Sequence, residues 1–422
     1  MSRAPIKPSF SKGRNDPLAN KKNPAQEPQN TLAAFIFREA AVRGLKLPAA
    51  GAAVLSGLEY GLEIELKNAA LKSFWQHHEL PGRPQAVVLS PLPRHYRTTS
   101  KRRWPPGAAA GKPGVFSEEE DAAVLEPAEH ALIFNSIGSW LGRTEFAALA
   151  RQLNFVIIRG TYEEFMVIFN LQAMNRELNR LLLKIVALLR ALDVNVISAF
   201  LYLDPSRSPY YLETNRPRSA FAIKKLFGPE RFRLRLGSTM LAVPPTSFSQ
   251  VNESMLPLLL DHVRSLLGGK GRERLLDLYC GYGLFSFHLR QEYREIVAID
   301  ASAASIRAAG DMVRLNPGRA RLAFKTMAIA RNSLEAVLPR SLAPGEEDVI
   351  LDPPRRGIDE ATLRSIARRR PGRILHLFCA SEEVPAALRQ WRRCGYLPGR
   401  VVPLDMFAGT PQLEILVPLS RS

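Results

Sequence analysis

Three residues near the carboxyl end of the chain have side chains suited to chemistry on a bound ligand. Asp352 opens DPPRRG, Cys379 directly follows the apolar run ILHLF, and Glu414 lies between apolar neighbours in PQLEILVPL. A thiol can act as a nucleophile and a carboxylate as a general base. Each also has a structural explanation, because DPP can simply end a strand, a cysteine is often a small buried hydrophobe, and Glu414 can be a charge at a sheet edge. All three lie at or beside predicted strand ends, where parallel sheets bind ligands, so we expect them to share one site.

A glycine turn in RLLDLYCGYGLFS, 274–286, predicts a nucleotide-type ligand at the same place. Gly281 and Gly283 lie between a predicted strand and a predicted helix, and their lack of a Cβ lets a ligand lie against the main chain. Asp277 interrupts the strand, and Asp300 ends the next one, where a carboxylate can bind ribose hydroxyls. The pattern is shared by NAD, FAD and S-adenosylmethionine sites and by turns that bind nothing.

A doubly wound parallel sheet is the predicted element that positions these residues. Short apolar runs recur at regular intervals with helical patterns between them, which is typical of an α/β fold. The predicted strands are 274–279, 296–300, 321–324, 348–352 and 373–378. Residues 398–404 and 412–419 are predicted as a final strand pair, with the last strand antiparallel.

A second α/β unit is predicted over residues 128–213. HALIFNSI, FVIIRG, EFMVIFN and VISAFLYL are predicted strands, and SWLGRTEFAALARQL and NRELNRLLLKIVALLRALD are predicted helices. The chain therefore divides into a disordered basic tail (1–30), an N-terminal segment without an assigned role (31–115), a central α/β domain that we expect to bind RNA (116–243) and a catalytic domain (244–422).

The charge of the chain favours a polyanionic partner. Lys plus Arg number 58 against 40 acidic residues, which gives a net charge of +18. The segment PLPRHYRTTSKRRW, 91–104, has no acid, and basic residues interleaved with aromatics suit phosphates and stacked bases. We predict RNA contacts from Arg94, Tyr96, Arg97, Lys101 and Arg103. The alternative interpretation is an exposed strand with a basic face.

The cysteine pattern and the hydropathy pattern exclude several classes of protein. The three cysteines, at 280, 379 and 394, form no CxxC or Cys/His ligand spacing, so we expect neither a metal site nor an iron–sulfur cluster. No apolar run approaches the ~20 residues of a membrane span. We expect a cytoplasmic monomer with reduced thiols.

Five motifs in the second half of the chain resemble those of the RNA uracil-C5 methyltransferases, which make 5-methyluridine in tRNA and ribosomal RNA with S-adenosylmethionine. LLDLYCGYGLF resembles their cofactor loop, TSFSQVN their FFQVN motif, DPPRRG their DPPR/K-x-G segment and LFCAS the strand that ends in their catalytic cysteine. VVPLDMFAGTPQLEILVPL resembles their PVDMFPxTxHVE ending, and SPLPRHYRTTSKRRW resembles their tyrosine–arginine segment. The similarity covers residues 244–419, and the order and spacing of the motifs argue against coincidence.

The resemblance implies a Rossmann-like class I methyltransferase fold for the catalytic domain and a role for each matching residue. Cys379 would be the nucleophile and Glu414 the base. The positions that would bind S-adenosylmethionine are Gln250, Asp277, Tyr279, Gly281, Gly283, Asp300 and Asp352. The implied substrate is tRNA or ribosomal RNA.

The implied chemistry explains the residue types. Uracil C5 is too weak a nucleophile to take a methyl group from a sulfonium unaided. A thiolate that adds to C6 makes C5 enolate-like, and a base must later remove the C5 proton so that the thiolate can leave. A target base must also leave its stack to be reached, which suits a basic cleft.

Three positions depart from the family pattern. Ala380 and Ser381 follow the cysteine where the family has Asn and Pro, FKTMAIA (324–330) lacks the usual acidic residue, and Ser249 replaces the second Phe of FFQVN. Two alternatives therefore remain. One is a methyltransferase acting on an exocyclic amine of RNA or DNA, against which Arg355 argues, because those enzymes place an aromatic residue there. The other is an RNA-binding protein that kept the fold and lost turnover.

Overall fold

The computed structural model describes residues 30–49, 51, 53–105, 116, 120–206, 223–267, 272–330, 334 and 338–421. Apart from Asn30, the predicted basic tail lies outside these residues. The helices are α1 (Leu32–Val42), α2 (Tyr60–His77), α3 (Ala128–Leu141), α4 (Ala147–Ala150), α5 (Arg176–Arg190), α6 (Leu256–Leu267), α7 (Leu284–His288), α8 (Ala303–Met312), α9 (Glu360–Arg368) and α10 (Val384–Arg393). The strands are β1 (Arg83–Pro84), β2 (Thr99–Arg103), β3 (Leu153–Gly160), β4 (Phe165–Leu171), β5 (Val196–Leu203), β6 (Ile223–Phe227), β7 (Phe232–Leu236), β8 (Thr239–Val243), β9 (Arg272–Leu278), β10 (Tyr293–Asp300), β11 (Arg321–Thr326), β12 (Glu347–Leu351), β13 (Arg373–Phe378), β14 (Tyr396–Pro398), β15 (Arg400–Leu404) and β16 (Glu414–Arg421).

The predicted doubly wound sheet is confirmed. The largest sheet has the order β1-β15-β16-β13-β12-β9-β10-β11, with β14 also paired to β16. Strands β9 to β13 run parallel, and β16 is antiparallel to both β13 and β15. The chain starts in the middle at β9, moves outward through β10 and β11, and then crosses to β12 on the other side. The carboxyl ends of β9 and β12 therefore meet at the switch point where such sheets bind ligands.

The strand register brings the carboxyl ends to one level. Leu278 in β9 lies opposite Ile299 in β10 and Leu351 in β12. Asp300 is the last residue of β10 and Asp352 directly follows β12, so both lie at the height of the glycine turn that follows β9. Parallel pairing thus brings three distant stretches of the sequence together at one edge of the sheet.

The N-terminal segment, whose role the sequence left open, packs against the catalytic sheet. Phe35 of α1 and Phe74 of α2 belong to one buried cluster with Leu276, Val349 and Trp391 of the catalytic domain. Both helices start with a side-chain cap, which fixes where they begin. This segment therefore completes the hydrophobic core on one face of the sheet.

The central domain has its own five-stranded sheet, of order β2-β3-β4-β5-β6, with α3 and α5 on one face. The prediction of a strand at HALIFNSI is wrong, because these residues lie in α3. The apolar residues Ile133, Phe134 and Ile137 recur at three- and four-residue spacing and are buried against the sheet, so helical packing decides a run of ambiguous periodicity. The predicted helix after it is interrupted, since α3 ends at Leu141 and only the short α4 follows before β3.

The hairpin β7–β8 joins the two units. The second face of the central sheet packs on this hairpin, on α6 and on α7 through one continuous cluster. The side chain of Asn316 exchanges two hydrogen bonds with the backbone of Met240 in β8, at 2.8 and 2.7 Å. We therefore place the hairpin with the catalytic sheet, although the sequence-based boundary lies at residue 244. Within the described residues, no helix has the length and apolar character of a membrane span.

Candidate active site

Three carboxylates converge at the carboxyl edge of the sheet. Asp277 lies buried inside β9, where its Oδ2 accepts a hydrogen bond of 2.6 Å from Ser286 Oγ, and burial raises its pKa to about 7. Burial and the charges of Asp277 and Asp300 raise the pKa of Asp352 to about 7. Carboxylates that repel each other in this way form a site suited to a positively charged ligand.

The glycine turn after β9 is held by Asp300 and leaves open space beside it. Gly281 N donates to Asp300 Oδ2 at 3.0 Å, and Ser302 N donates to Asp300 Oδ1 at 2.7 Å. Tyr279, Gly281 and Gly283 have positive φ angles of 67°, 54° and 87°, so the chain reverses sharply here. A Cβ built on Gly281 would meet no described heavy atom within 4 Å, which means that a ligand can approach this backbone.

Gly283 is required for a different reason. A Cβ at this residue would lie 3.0 Å from the rings of both Phe287 and Phe324. Side-chain packing under α7 therefore fills the space that a larger residue would need. The two glycines of the motif thus have separate tasks, one beside the open space and the other in the core.

The loop that contains Gln250 is fastened by a buried arginine of the central domain. Arg159 donates from Nη1 to the carbonyl oxygen of Pro245 at 2.6 Å and from Nη2 to Ser249 Oγ at 2.8 Å. Gln250 is buried, whereas the side chain of Phe248 is 63% exposed. Ser249, a departure from the family motif, is thus the hydroxyl that accepts this hydrogen bond. The substitution links the loop to the central sheet.

Cys379 and Glu414 come together across two antiparallel strands. Phe378 pairs with Ile415 in the β13–β16 ladder. One further step of the same register places Cys379 opposite Glu414, directly beyond the end of β13. Cys379 and Glu414 are far apart in the sequence. The strand pairing that brings them together follows from the predicted antiparallel orientation of the last strand.

The electrostatic setting raises the pKa of both groups. Glu414 is 1% exposed, and neither of its carboxylate oxygens has a hydrogen-bond partner among the described residues. Burial and then the charge of Asp352 raise the pKa of Glu414 well above 4.5, while Arg355 opposes them. Burial and the charges of Glu414 and Asp352 raise the pKa of Cys379 to about 12. An unpaired buried carboxyl is costly, which points to a functional rather than a structural role.

The residues predicted to contact RNA divide into two sets. Lys101 and Arg103 are exposed on β2, where both cations lie over the ring of Phe155. Arg97 is half-buried beside them, and its Nε donates to the carbonyl oxygen of Thr99 at 3.2 Å. The exposed strand with a basic face, left open as an alternative, is the local structure that β2 adopts.

Arg94 and Tyr96 bind protein groups instead. Tyr96 is 1% exposed, and its hydroxyl donates to the carbonyl oxygen of Ala408 at 2.9 Å. Arg94 donates to Glu63 Oε2 at 2.9 Å and to the carbonyl oxygen of Ser56 at 3.2 Å. Because these side chains are turned into the protein, they do not form part of the proposed RNA surface.

Sequence reasoning missed a buried ionic cluster formed by Glu63, Lys67 and Asp405. The four-residue spacing of Glu63 and Lys67 is typical of an exposed helical ion pair, and nothing in that pattern indicates burial. Among the described residues, no group of three or more His, Cys, Asp or Glu side chains is arranged to hold a metal ion.

The second half of the chain is similar in sequence to known RNA methyltransferases. Residues 233–422 match the family described as tRNA (uracil-5-)-methyltransferase. An uncharacterized RNA methyltransferase of Halalkalibacterium halodurans is 31% identical over 193 residues, which are 45% of this chain and 41% of the relative. One from Thermotoga maritima is 30% identical over 179 residues, 42% of this chain and 39% of the relative. The matches thus span about two fifths of the length of these relatives.

A solved structure shows the same fold over most of the chain. The tRNA (uracil-54, C5)-methyltransferase of Pyrococcus abyssi, in complex with S-adenosyl-L-homocysteine, is 22% identical and superposes with a TM-score of 0.65. The superposition covers 88% of this chain and 84% of that protein. The family match begins inside β7, which agrees with the assignment of the hairpin to the catalytic sheet. Residues 233–422 therefore match the family described as tRNA (uracil-5-)-methyltransferase, and the chain shares its Rossmann-like fold with the solved structure.

Proposed function

We propose that the protein transfers a methyl group from S-adenosylmethionine to C5 of a uridine in RNA. The observation that carries the proposal is the proximity of Cys379 to Glu414 at the end of the β13–β16 ladder, where the carboxylate of Glu414 is buried without a hydrogen-bond partner among the described residues. A nucleophilic thiol beside a base is the pair that methylation of uracil C5 requires. The family match of residues 233–422 supports the same reaction.

The residues around the glycine turn fit the cofactor. S-adenosylmethionine supplies an electrophilic methyl group on a positively charged sulfonium. Asp277, Asp300 and Asp352 offer negative charge to that cation, and the open side of Gly281 admits a ligand against the backbone. Asp300 keeps lone pairs for ribose hydroxyls after binding the turn. Gln250 and Tyr279 line the same region in this proposal.

Cys379 starts the reaction by adding to C6 of the uracil. The sulfur–C6 bond forms, the electrons of the C5–C6 double bond move toward O4, and C5 becomes able to accept the methyl group. The thiol must first lose its proton, and burial opposes this step by raising the pKa of Cys379 to about 12. The positive charge of Arg355 opposes this rise in pKa and so favours the thiolate.

Glu414 completes the reaction by removing the proton from C5. The C5–H electrons then re-form the double bond, the sulfur–C6 bond breaks, and Cys379 leaves as a thiolate. Burial without hydrogen-bond donors makes the ionised Glu414 a stronger base than an exposed glutamate. In this proposal Glu414 lies beside the uracil ring, because it is opposite the cysteine to which the ring is bound.

RNA is proposed to lie along the basic face formed by Arg97, Lys101 and Arg103. Phosphates bind Lys and Arg side chains without regard to sequence, which suits an exposed strand of this kind. We propose tRNA as the substrate, because the matched family is described by its action on tRNA.

Transfer of label to RNA tests the proposed function. The protein would be incubated with tritiated S-adenosylmethionine and total RNA from a strain that lacks the gene, and the digested nucleosides would be separated. We expect label in 5-methyluridine of the tRNA fraction, loss of label with Cys379→Ala, and retention with the matched control Cys394→Ala. Label in a methylated exocyclic amine would refute the mechanism. Cofactor binding without any transfer would identify an RNA-binding protein that has lost turnover.

A further inference from the structure

A buried ionic cluster joins helix α2, which lies outside the family-matched region, to the loop that leads to Glu414. Lys67 Nζ lies 2.7 Å from Glu63 Oε1 and 2.6 Å from Asp405 Oδ1, and all three side chains are fully buried. Glu63 and Lys67 belong to α2, whereas Asp405 opens the loop between β15 and β16. The cluster therefore joins the N-terminal segment to the catalytic sheet.

Two further side chains satisfy the remaining carboxylate oxygens. Arg94 Nη2 donates to Glu63 Oε2 at 2.9 Å, and Tyr60 OH donates to Asp405 Oδ2 at 3.0 Å. The two carboxylates and two cations balance in charge. Every oxygen of the pair is bound, so the cluster has one geometry rather than several. We call these five residues the loop clamp.

The loop itself, residues 405–410, is also held through its backbone. Gly409 N donates to Glu63 Oε1 at 2.6 Å, and the carbonyl oxygen of Ala408 accepts the hydroxyl of Tyr96 at 2.9 Å. The carbonyl oxygen of Met406 accepts Asn252 Nδ2 at 3.3 Å. Side chains from the N-terminal segment and from the Gln250 motif therefore fix the same few residues.

The clamp lies one residue from the strand pairing that orients Glu414. Leu404 pairs with Glu414 in the β15–β16 ladder, and Asp405 is the next residue. Asn252, which binds the loop from the other side, is two residues from Gln250. A shift of the loop would therefore move both the proposed base and the proposed cofactor contact.

Stability alone does not account for such a cluster. Buried ion pairs lose most of their attraction to desolvation, and apolar residues of similar volume often stabilise a protein as well or better. What ionic and hydrogen-bonded groups add is a fixed direction, because each bond tolerates only a narrow range of angles. Because the cluster lies beside the strand that begins with Glu414, the fixed direction of its bonds can orient the proposed base.

We propose that the loop clamp positions Glu414 and Gln250 for methyl transfer, so that an N-terminal helix outside the family-matched region takes part in the reaction geometry. This proposal rests on the proposed function of Glu414 as the base. Tyr60, Glu63, Lys67, Arg94 and Asp405 act through the loop and touch neither substrate nor cofactor, so they are positioning residues.

Tyr60→Phe and Asp405→Asn test the proposal, because each keeps the shape of the side chain and weakens the clamp. Tyr60→Phe removes the hydrogen bond to Asp405 and the one that the hydroxyl accepts from Ser90 N, and Asp405→Asn removes the charge that binds Lys67. Glu65→Gln is the matched control, since Glu65 lies on the same helix in an exposed ion pair with Arg43. Each purified full-length variant would be assayed well below its unfolding temperature for kcat, for KM toward RNA, and for the fraction held as a covalent RNA adduct through Cys379.

We expect Tyr60→Phe to lower kcat about tenfold and Asp405→Asn up to about 100-fold, the range that a small misplacement of a catalytic group causes, with KM for RNA little changed. The covalent adduct should accumulate, because a displaced Glu414 removes the C5 proton slowly. The control should behave like wild type. If Asp405→Asn does not fold, Tyr60→Phe still decides.

Variants that unfold at lower temperature but keep wild-type kcat and adduct levels would overturn the proposal and leave the clamp a purely structural element. This outcome differs from failure of the proposed function. In that case the wild-type protein itself would form neither 5-methyluridine nor an adduct.

Discussion

The burial of Asp277 makes the stability of the protein depend on pH, and Asp277→Asn should remove that dependence. Burial raises the pKa of this carboxyl from 3.8 to about 7. Between about pH 4 and about pH 7, the folded state therefore keeps a proton on Asp277 that the unfolded state has lost. Stability from this group is fully present below 3.8 and is lost as pH rises to about 7, because the free energy of unfolding falls where the folded state binds more protons.

The size of the effect follows from the shift. One pKa unit corresponds to about 1.4 kcal/mol, so a shift of roughly three units amounts to roughly 4 kcal/mol of lost stability above neutral pH. An asparagine has nearly the same shape, and its carbonyl oxygen can still accept the hydrogen bond from Ser286. The stability of Asp277→Asn relative to wild type should therefore rise by roughly 3 kcal/mol between about pH 5 and about pH 8.

Urea unfolding followed by circular dichroism and by intrinsic fluorescence would measure this difference at both pH values. Asp193→Asn, at an exposed carboxyl in the turn after α5, is the matched control for adding an amide. A stability difference between Asp277→Asn and wild type that stays constant with pH would refute the reasoning. It would mean that Asp277 is ionised in the folded protein over this pH range, so that burial does not raise its pKa as described above.

Three further predictions concern ligand binding. Because the pKa of Asp352 is about 7, affinity for the cationic S-adenosylmethionine should rise from about pH 6 to about pH 8. In calorimetric titrations, Asp352→Asn should flatten this rise. An affinity that falls over this range would contradict the charge complementarity. Replacing Lys101 and Arg103 together by Gln should weaken the binding of RNA whatever its sequence. In filter binding, the slope of the logarithm of the binding constant against the logarithm of the salt concentration should fall in magnitude by about two. An unchanged slope would place the RNA elsewhere. Arg159→Met should release the loop that contains Gln250 and so raise the dissociation constant for S-adenosylmethionine about tenfold. Unchanged cofactor binding would show that the loop needs no support from the central domain.

Much of the catalytic half could be predicted from the sequence because its signals are local. Buried parallel strands appear as short apolar runs, and Gly281 and Gly283 mark a turn that few other residues can form. The position of Asp300 and Asp352 then follows from strand pairing, since the ends of parallel neighbours meet. These inferences need only one element and its neighbour.

The remaining features depend on contacts between distant parts of the chain. Arg94 and Tyr96 have the composition of an RNA-binding segment, but α2 and the loop at 405–410 supply buried partners for both. Ser249 departs from the family pattern, and its hydroxyl accepts a hydrogen bond from Arg159 of the central domain, which no local pattern indicates. Burial of a polar residue is decided by what packs over it, and a local pattern does not contain that information.

Trapping the covalent intermediate is the measurement that tests the central claim most directly. An RNA substrate containing 5-fluorouridine has no proton at C5 for Glu414 to remove, so the methylated adduct should persist on the enzyme. We expect a stable RNA–protein complex that requires S-adenosylmethionine, and mass spectrometry should place the RNA on the peptide that contains Cys379. An adduct on Cys280 or Cys394, or methyl transfer to uridine by the Cys379→Ala variant, would contradict the account.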